Sequence, residues 1–227
     1  MSPLRPDFFR RDPVTCAREL IGMEFVWNGC GGIVVEAEAY ADRDDPACHT
    51  FFRPSARRFV SESSPGTAYV YLNYGMHWLT NVLVKGGPVN GFVLIRALQP
   101  TRGIAEMRER RGKDRLIDLC SGPGKLSAAL GIAGTHHGAS LVDSAECGFF
   151  PAANPPTVVS GVRIGISSGV DLPWRFLAAG SEFVSVKPRG EERQPRDRST
   201  REAPPQVKSK RKSPIAPERA MDLPSSE

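Results

Sequence analysis

Apolar and polar residues alternate along several short stretches of the chain, which is typical of β-strands. Residues 23–27 and 33–40 are two such stretches, and the Asn-Gly-Cys-Gly-Gly sequence between them predicts a hairpin loop. Further strands are expected where valine, isoleucine, tyrosine or phenylalanine is enriched, at residues 67–72, 91–97, 158–166 and 182–186. The pattern therefore predicts a strand-rich protein.

Three stretches have helical features. Asp12-Pro13, followed by apolar residues at helical spacing, predicts an N-capped helix that ends at Gly22. Residues 104–111 predict a charged surface helix, and residues 121–130 predict a helix capped by Ser121. Because strands outnumber helices and several links are short and rich in turn residues, we expect an α+β domain. Its sheet should be curved and mainly antiparallel, with flanking helices, and not a doubly wound parallel one.

Length and composition favour one globular domain followed by a tail. The 227 residues are 40% hydrophobic, which suffices for one sizeable core, assigned here to residues 1–187. No apolar run approaches the ~20 residues of a membrane-spanning helix, and the N-terminus has no signal-peptide pattern. We therefore expect an intracellular protein, cytoplasmic and nucleoid-associated in a bacterium or nuclear in a eukaryote. The cysteines form no C-x-x-C pair, so reduced thiols are expected at Cys16, Cys30, Cys48, Cys120 and Cys147.

Most of the net charge lies at the C-terminus. Residues 187–227 contain eleven Lys/Arg against seven Asp/Glu, a difference of +4 out of the total of +5. This proline-rich segment is poor in apolar residues, so residues 188–227 are predicted to be a disordered tail. The tail could be a nucleic-acid arm or a nuclear-import signal, and a solvated tail without function fits the composition equally well.

Two motif-like sequences are set aside. Residues 165–169 match the G-x-S-x-G elbow of serine hydrolases, but the catalytic histidine of that fold follows the serine, and the last histidine here is His137. A turn that ends a strand is the better interpretation. Residues 120–126 lack the first glycine and the Ser/Thr of a phosphate-binding loop. They are interpreted as a glycine-rich helix start, where free amides and Lys125 could hold one phosphate of a nucleic-acid backbone.

Glu36, Glu38 and Tyr40 share one face of the strand predicted at residues 33–40. The alternation alone favours a strand with one solvated face. His49 follows in what we expect to be an irregular acidic loop, where a histidine is usually on the surface. Residues 51–64 are also expected to form a loop.

Residues 65–81 are unusually rich in aromatic side chains with polar tips. Tyr69, Tyr71 and Asn73 share one face, and Tyr74-Gly75 marks a turn from which the ring can project outward. Aromatic faces of this kind stack on nucleobases. A packed edge with hydrogen-bonded phenols is the alternative.

Four ordered motifs together resemble the alkyladenine (3-methyladenine) DNA glycosylase family. They are EAEAY with a histidine nine positions after its tyrosine, PGTAYVYLNYGMHWLTN, VLIRALQP and LCSGPGKL. The resemblance extends from about residue 14 to residue 186. It implies one mixed α/β domain with a curved antiparallel sheet. It also implies an enzyme that flips a damaged purine out of duplex DNA and hydrolyses its N-glycosidic bond without a metal or other cofactor.

The resemblance assigns catalytic roles to two residues. Glu38 matches the general base that activates the attacking water, and Arg96 matches the arginine that helps to hold that water. Glu36 has no assigned role and is expected to face solvent. No lysine falls in the matched pocket set, so the enzyme should be monofunctional and its product an intact abasic site. We also expect a monomer without an obligatory protein partner.

The resemblance also assigns residues to the substrate. Tyr40 and Tyr71 match the residues that sandwich the flipped base, and His49 matches the one that hydrogen-bonds its edge. Asn81 matches the residue that crowds the exocyclic amine of guanine. Tyr74 matches the wedge that fills the gap left by the base.

Two alternatives belong to other functional classes. One is a non-catalytic nucleic-acid binding protein on the same fold, although a binder has no need of the Glu38 and Arg96 pair. The other is a metal-dependent hydrolase that uses Glu36, Glu38 and His49, although a further ligand at suitable spacing is missing. Among substrates, the sequence leaves alkylated purines, hypoxanthine and ethenoadenine open.

Overall fold

A computed structural model describes residues 2–152 and 154–187. Within this part, a short 3-10 helix at Pro6–Phe9 precedes six α-helices and eight strands. The helices are α1 (Pro13–Leu20), α2 (His49–Phe52), α3 (Pro54–Glu62), α4 (Ile104–Arg111), α5 (Ile117–Cys120) and α6 (Pro123–Leu130). The strands are β1 (Glu24–Trp27), β2 (Cys30–Ala41), β3 (Ala68–Asn73), β4 (His77–Val84), β5 (Gly91–Arg102), β6 (Cys147–Phe150), β7 (Val158–Gly161) and β8 (Arg175–Ala178).

All strand pairs belong to one antiparallel sheet. The order is β3-β4-β5-β2-β1-β6, while β8 pairs with both β2 and β7. The two longest strands, β2 and β5, pair through register shifts on either side of Glu36. Such bulges bend a sheet and increase its twist. The predicted α+β domain with a curved antiparallel sheet is confirmed.

Helix α1 begins and ends close to its predicted limits. The Asp12 side chain accepts a hydrogen bond from the Thr15 amide at 2.9 Å, and Pro13 occupies the first turn. Cys16, Ala17 and Leu20 are buried in the main core. The local capping signal and the apolar face therefore agree, which is why this helix can be predicted from sequence.

A second apolar cluster lies beside the main core. It consists of Cys48, Ala56, Phe59, Val60, Tyr69, Leu83 and Phe92, and Tyr40 and Tyr71 pack against it. Ala56, Phe59 and Val60 come from α3 at helical spacing, so residues 51–64 form helices and the predicted loop is wrong. These helices hold the tyrosines of the neighbouring strands in fixed positions.

Several predicted strand limits also need correction. Strand β7 ends at Gly161, so the predicted strand at 158–166 is too long. Residues 182–186 do not form a strand, because the Ser185 amide donates to the side chain of Glu36 and does not enter a ladder. Strand β8 occupies the neighbouring edge of β2. Strands β4, β6 and β8 were not among the predicted strands.

Helix α6 begins after Gly122, and Ser121 is not its cap. Pro123 takes the first helical position, where its missing amide costs nothing. The predicted tail at residues 188–227 lies outside the described residues. Within the described part, no helix is long and apolar enough to span a membrane.

Candidate active site

Glu36 and Glu38 are both completely buried on strand β2. The predicted solvated face is therefore wrong, and so is the expectation that Glu36 faces solvent. The reason is tertiary, because β8 pairs with β2 at these residues, Ser185 bonds to Glu36, and the Ile164 amide bonds to Glu38. Buried carboxylates require charged or hydrogen-bonding partners, and both have them.

Glu38 is held by three donors. Its Oε1 accepts from the Ile164 amide at 2.8 Å, and its Oε2 accepts from the Tyr40 hydroxyl at 2.8 Å and from Arg96 Nη1 at 3.1 Å. Burial raises the pKa of Glu38 above its ordinary value, while Arg96 and the two other donors oppose that rise. The result is a fixed carboxylate with a strengthened affinity for a proton.

Arg96 joins the two carboxylates. Its Nε donates to Glu36 Oε1 at 2.9 Å while its Nη1 reaches Glu38. The register of β2 and β5 passes from Glu36↔Ala97 to Ala37↔Ile95, so Arg96 has no partner opposite it at this bulge. The bulge thus directs the guanidinium between two glutamates of the adjacent strand.

A cavity of about 480 Å³ opens next to this cluster. Of the eight residues proposed from sequence, it is lined by Tyr40, His49, Tyr71, Tyr74, Asn81 and Arg96. Glu38 does not line it and lies one hydrogen bond behind Tyr40 and Arg96. Lys125 is exposed on α6, two residues from Pro123, which does line the cavity.

Strand register explains how distant residues share this cavity. Asn81 of β4 lies opposite Tyr69 of β3 on one side and Leu94 of β5 on the other, and Leu94 in turn lies opposite Glu38. Residues opposite each other project from the same face of a sheet. The Asn81 side chain donates from Nδ2 to the Tyr69 carbonyl at 3.0 Å, which fixes its amide.

Tyr40 is held from behind by Arg163. The guanidinium lies 4.7 Å from the ring centroid, and it forms a buried bidentate pair with Asp45 at 2.7 Å for both contacts. The Tyr40 hydroxyl donates its hydrogen bond to Glu38. Tyr40 lines the cavity, whereas Arg163 does not.

His49 is half-buried at the start of α2, and its expected place in a surface loop is wrong. Its ring meets Tyr71 edge to face with centroids 4.4 Å apart, and its Nδ1 lies 3.0 Å from the Tyr69 hydroxyl. Burial, aided by the nearby Arg53 cation, lowers the pKa of His49 to about 4. The imidazole is therefore neutral at neutral pH.

Tyr74 lies at the tip of the β3–β4 hairpin and is 81% exposed. Its φ is +49° and that of Gly75 is +68°, and the Met76 amide donates to the Asn73 carbonyl at 3.1 Å. Positive φ at both central residues is the type I′ pattern, which disfavours a bulky side chain at the first of them. An exposed aromatic ring is thus held in an unfavourable backbone conformation beside the cavity.

Lys125 lies on the first turn of α6, where its Nζ is 3.4 Å from Ser121 Oγ. The helix has no side-chain cap at Gly122. Unpaired amides at a helix start favour an anion, and the lysine adds a positive charge to this position.

Some lining residues were not identified from sequence. The segment 164–168, interpreted above as a turn that ends a strand, forms one wall of the cavity, and Phe52 of α2 forms part of another. The Asp45–Arg163 pair was also missed, since 118 residues separate its members. Among these missed residues, only the segment 164–168 had a local signal in the sequence, because Gly165 and Gly169 indicate a turn.

The described residues contain no group of three or more His, Cys, Asp or Glu side chains suited to a metal ion. Glu36 and Glu38 accept from arginines, and the His49 Nδ1 pairs with a tyrosine. This donor set does not support the metal-dependent alternative.

Comparisons with known proteins agree with this geometry. The model of the methylpurine-DNA glycosylase family matches residues 7–182. A protein of Rhodopseudomonas palustris strain HaA2, provisionally named 3-methyladenine DNA glycosylase, is 48% identical over 184 residues, which cover 81% of this chain and 90% of the relative. Provisionally named proteins of the same kind from Granulibacter bethesdensis and Nitrosospira multiformis are 48% and 45% identical; the matches cover 79% and 82% of this chain and 86% and 95% of the relatives. The chain therefore belongs to the methylpurine-DNA glycosylase family.

Proposed function

We propose that Glu38 is the general base with which this base-excision repair DNA glycosylase hydrolyses the N-glycosidic bond of damaged purines. The purine, alkylated or deaminated, is flipped out of duplex DNA into the cavity and released by an activated water, which leaves an abasic site. The observation that carries the proposal is the fully buried Glu38 carboxylate, one hydrogen bond from two residues that line the cavity.

The contacts of Glu38 suit a base that takes a proton from water. Its Oε1 accepts one hydrogen bond from a neighbour, so a lone pair is left for a water molecule. Arg96 lines the cavity and bonds to the same carboxylate, which places a fixed cation beside the attacking oxygen. Burial raises the pKa of Glu38, and a pKa closer to the working pH makes a carboxylate a more effective base.

The aromatic walls suit a flipped purine. Tyr40 and Tyr71 line the cavity, and we assign them the two faces of the base. Extruding a base costs a few kcal/mol, whereas each aromatic stack returns about 1–3 kcal/mol. Two stacks are therefore sufficient for a weakly paired, damaged base and marginal for a normal one. A cationic alkylpurine is further attracted to the ring faces.

His49 and Asn81 are assigned to the edge of the base. A neutral His49 that accepts from the Tyr69 hydroxyl at Nδ1 carries its proton on Nε2, which can then donate to a purine nitrogen. Asn81 is anchored through its Nδ2, so its position is fixed when a base enters. A fixed amide at this depth would crowd the exocyclic amine of guanine.

Tyr74 and Lys125 are assigned to the DNA itself. The exposed ring of Tyr74 would enter the gap left by the flipped nucleotide and oppose its return. Lys125 and the uncapped start of α6 would hold a backbone phosphate near the cavity. We expect the enzyme to act as a monomer.

We also propose that the enzyme is monofunctional. The described lining of the cavity contains no lysine that could form a Schiff base with the sugar. Water activated by Glu38 would then leave the abasic site intact. Borohydride should trap no enzyme–DNA adduct, and recovery of such an adduct would refute this part of the proposal.

The test uses duplexes that carry hypoxanthine, ethenoadenine or an alkylated purine, scored for alkali-labile abasic sites. Glu38→Gln should retain binding to lesion DNA and lose excision by about 10²- to 10⁴-fold, because it keeps the shape of the side chain and removes the carboxylate that accepts the proton from water. Glu24→Gln is the matched control, since Glu24 also pairs with an arginine, Arg102, but neither residue lines the cavity. Parental excision by Glu38→Gln would refute the proposal.

A further inference from the structure

Glu36 is held by four hydrogen bonds, three of them to one carboxylate oxygen. Its Oε1 accepts from Arg96 Nε at 2.9 Å, from Arg175 Nε at 2.8 Å and from Ser185 Oγ at 2.8 Å. Its Oε2 accepts from the Ser185 amide. Oε1, with three donors, has no free site for water. Of the partners of Glu36, only Arg96 lines the cavity, and Arg175 and Ser185 do not.

The cluster around Glu36 is electrically balanced. Two buried carboxylates, Glu36 and Glu38, face two buried guanidinium groups, Arg96 and Arg175, whose side chains are only 8% and 6% exposed. Removing one partner of such a group leaves a buried charge without compensation. The four charges therefore depend on each other, although only Arg96 lines the cavity.

Ser185 connects this cluster to the C-terminal end of the described chain. Its hydroxyl donates to Glu36 and accepts from Arg96 Nη2 at 3.3 Å. Arg175 also donates to the Val186 carbonyl. The residues that follow β8 thus bond to Glu36 and to its two arginines and do not end as an independent strand.

We propose that Glu36 is a positioning residue that acts through Arg96 on Glu38, and that Arg175 and Ser185 complete this positioning cluster. Glu36 and Ser185 hold the Arg96 guanidinium at two of its nitrogens, so that the remaining nitrogen meets Glu38. Arg175 neutralises the negative charge that Glu36 would otherwise place beside the Glu38 carboxylate. The inference rests on the proposed function, in which Glu38 is the base.

This arrangement has a directional consequence. Glu36 raises the pKa of Glu38 and Arg96 lowers it. Protonation of Glu38 at low pH should slow excision, which gives the pH–rate profile an acid limb. Glu36→Gln removes a negative charge, so this acid limb should move to lower pH. Arg175→Gln removes a positive charge, so the limb should move to higher pH. Glu36 and Arg175 carry opposite charges, so the two variants should displace the acid limb in opposite directions.

Other groups around Glu38 stay constant in these variants. They come from every element packed against it: Tyr40 on β2, Tyr71 on β3, Arg96 on β5, and Arg163 and the Ile164 amide on the segment after β7. The opposite displacements therefore report on Glu36 and Arg175. General damage to the fold would lower the rate of both variants without moving their acid limbs apart.

The experiment measures single-turnover excision of hypoxanthine from a duplex between about pH 4.5 and pH 8, with an enzyme-free control at each pH. Glu36→Gln should lose roughly tenfold or more at its optimum, because Arg96 loses an anchor. Glu36→Asp should restore the wild-type limb, because it restores the charge. Ser185→Ala should slow excision without moving the limb, and Glu24→Gln should match the wild type.

An acid limb that stays at the wild-type pH in Glu36→Gln would overturn the inference. If Glu36→Gln does not fold, an unmoved limb in Arg175→Gln has the same meaning. Failure of the proposed function would look different, since Glu38→Gln would then excise at the parental rate with the acid limb unchanged. Loss of the limb in Glu38→Gln, together with an unmoved limb in Glu36→Gln, would refute only the positioning role.

Discussion

Replacing Tyr74 by asparagine should make the folded protein more stable and a poorer glycosylase. Tyr74 and Gly75 form a turn with positive φ at both central residues, for which Asn-Gly is the preferred pair. A bulky residue in the left-handed region costs roughly 1–2 kcal/mol, and asparagine tolerates that region better. Because the ring is 81% exposed, little buried apolar surface is lost. We expect a gain of about 1 kcal/mol, or about 2–4 °C in Tm.

The same substitution removes the ring that we assign to the gap in DNA. An aromatic stack contributes about 1–3 kcal/mol, so the flipped state should become about 5- to 150-fold less populated. A fluorescent 2-aminopurine beside the lesion reports flipping, and single-turnover rates report excision. Urea unfolding of the same samples gives the stability.

Tyr74→Phe is the matched control, because it retains the ring and the backbone strain. It should leave flipping nearly unchanged and should not gain the stability of the asparagine variant. The reasoning is refuted if Tyr74→Asn lowers stability by more than about 1 kcal/mol while flipping and excision stay at wild-type values. In that case the ring would pack against the body of the protein.

Three further outcomes are expected. Lys125→Gln should weaken binding to all duplexes alike and reduce the slope of log affinity against log salt by about one, with excision unchanged at saturating enzyme; an unchanged slope would remove Lys125 from the phosphate contacts. The folded pKa of His49, about 4, lies below the ordinary 6.5, so the unfolded chain binds more protons and stability should fall as pH drops from 6.5 towards 4. The free energy of unfolding of His49→Gln should fall less steeply over that range, and parallel curves from urea unfolding of the two proteins would contradict this. Asp45→Asn leaves the buried Arg163 without its carboxylate and should lower the free energy of unfolding by about 3–5 kcal/mol, with impaired excision because Tyr40 loses its support; a loss below about 1 kcal/mol would show that the pair is dispensable.

Local signals were sufficient where the structure of a segment depends on its own residues. Helix α1 has a capping aspartate, a proline at its first position and a narrow apolar face, and it lies almost where the sequence predicts. The α4 limits, Ile104–Arg111, agree fully with the prediction. The alternation in β2 gave the correct set of residues on one face, because side-chain direction in a strand follows from backbone geometry alone.

The sequence could not decide what that face contacts. Glu36 and Glu38 follow the pattern of a solvated strand, yet both are fully buried. Their burial depends on Arg175 and Ser185, which are separated from Glu36 by 139 and 149 positions. A carboxylate becomes tolerable in a core only when such partners arrive, and no local periodicity reports that arrival.

The motifs and their resemblance to a family predicted which residues react, while the tertiary structure determined the environment of those residues. The cavity unites side chains from β2, α2, β3, β4 and β5 because strand register places them on one face of the curved sheet. The segment 164–168 forms one wall, and the Asp45–Arg163 pair supports Tyr40 through a contact between residues more than a hundred positions apart. Sequence alone determined which candidate groups are present and which of them share a strand face. Only the tertiary structure decided which of them are buried and charged together, because burial and charge pairing arise from long-range packing.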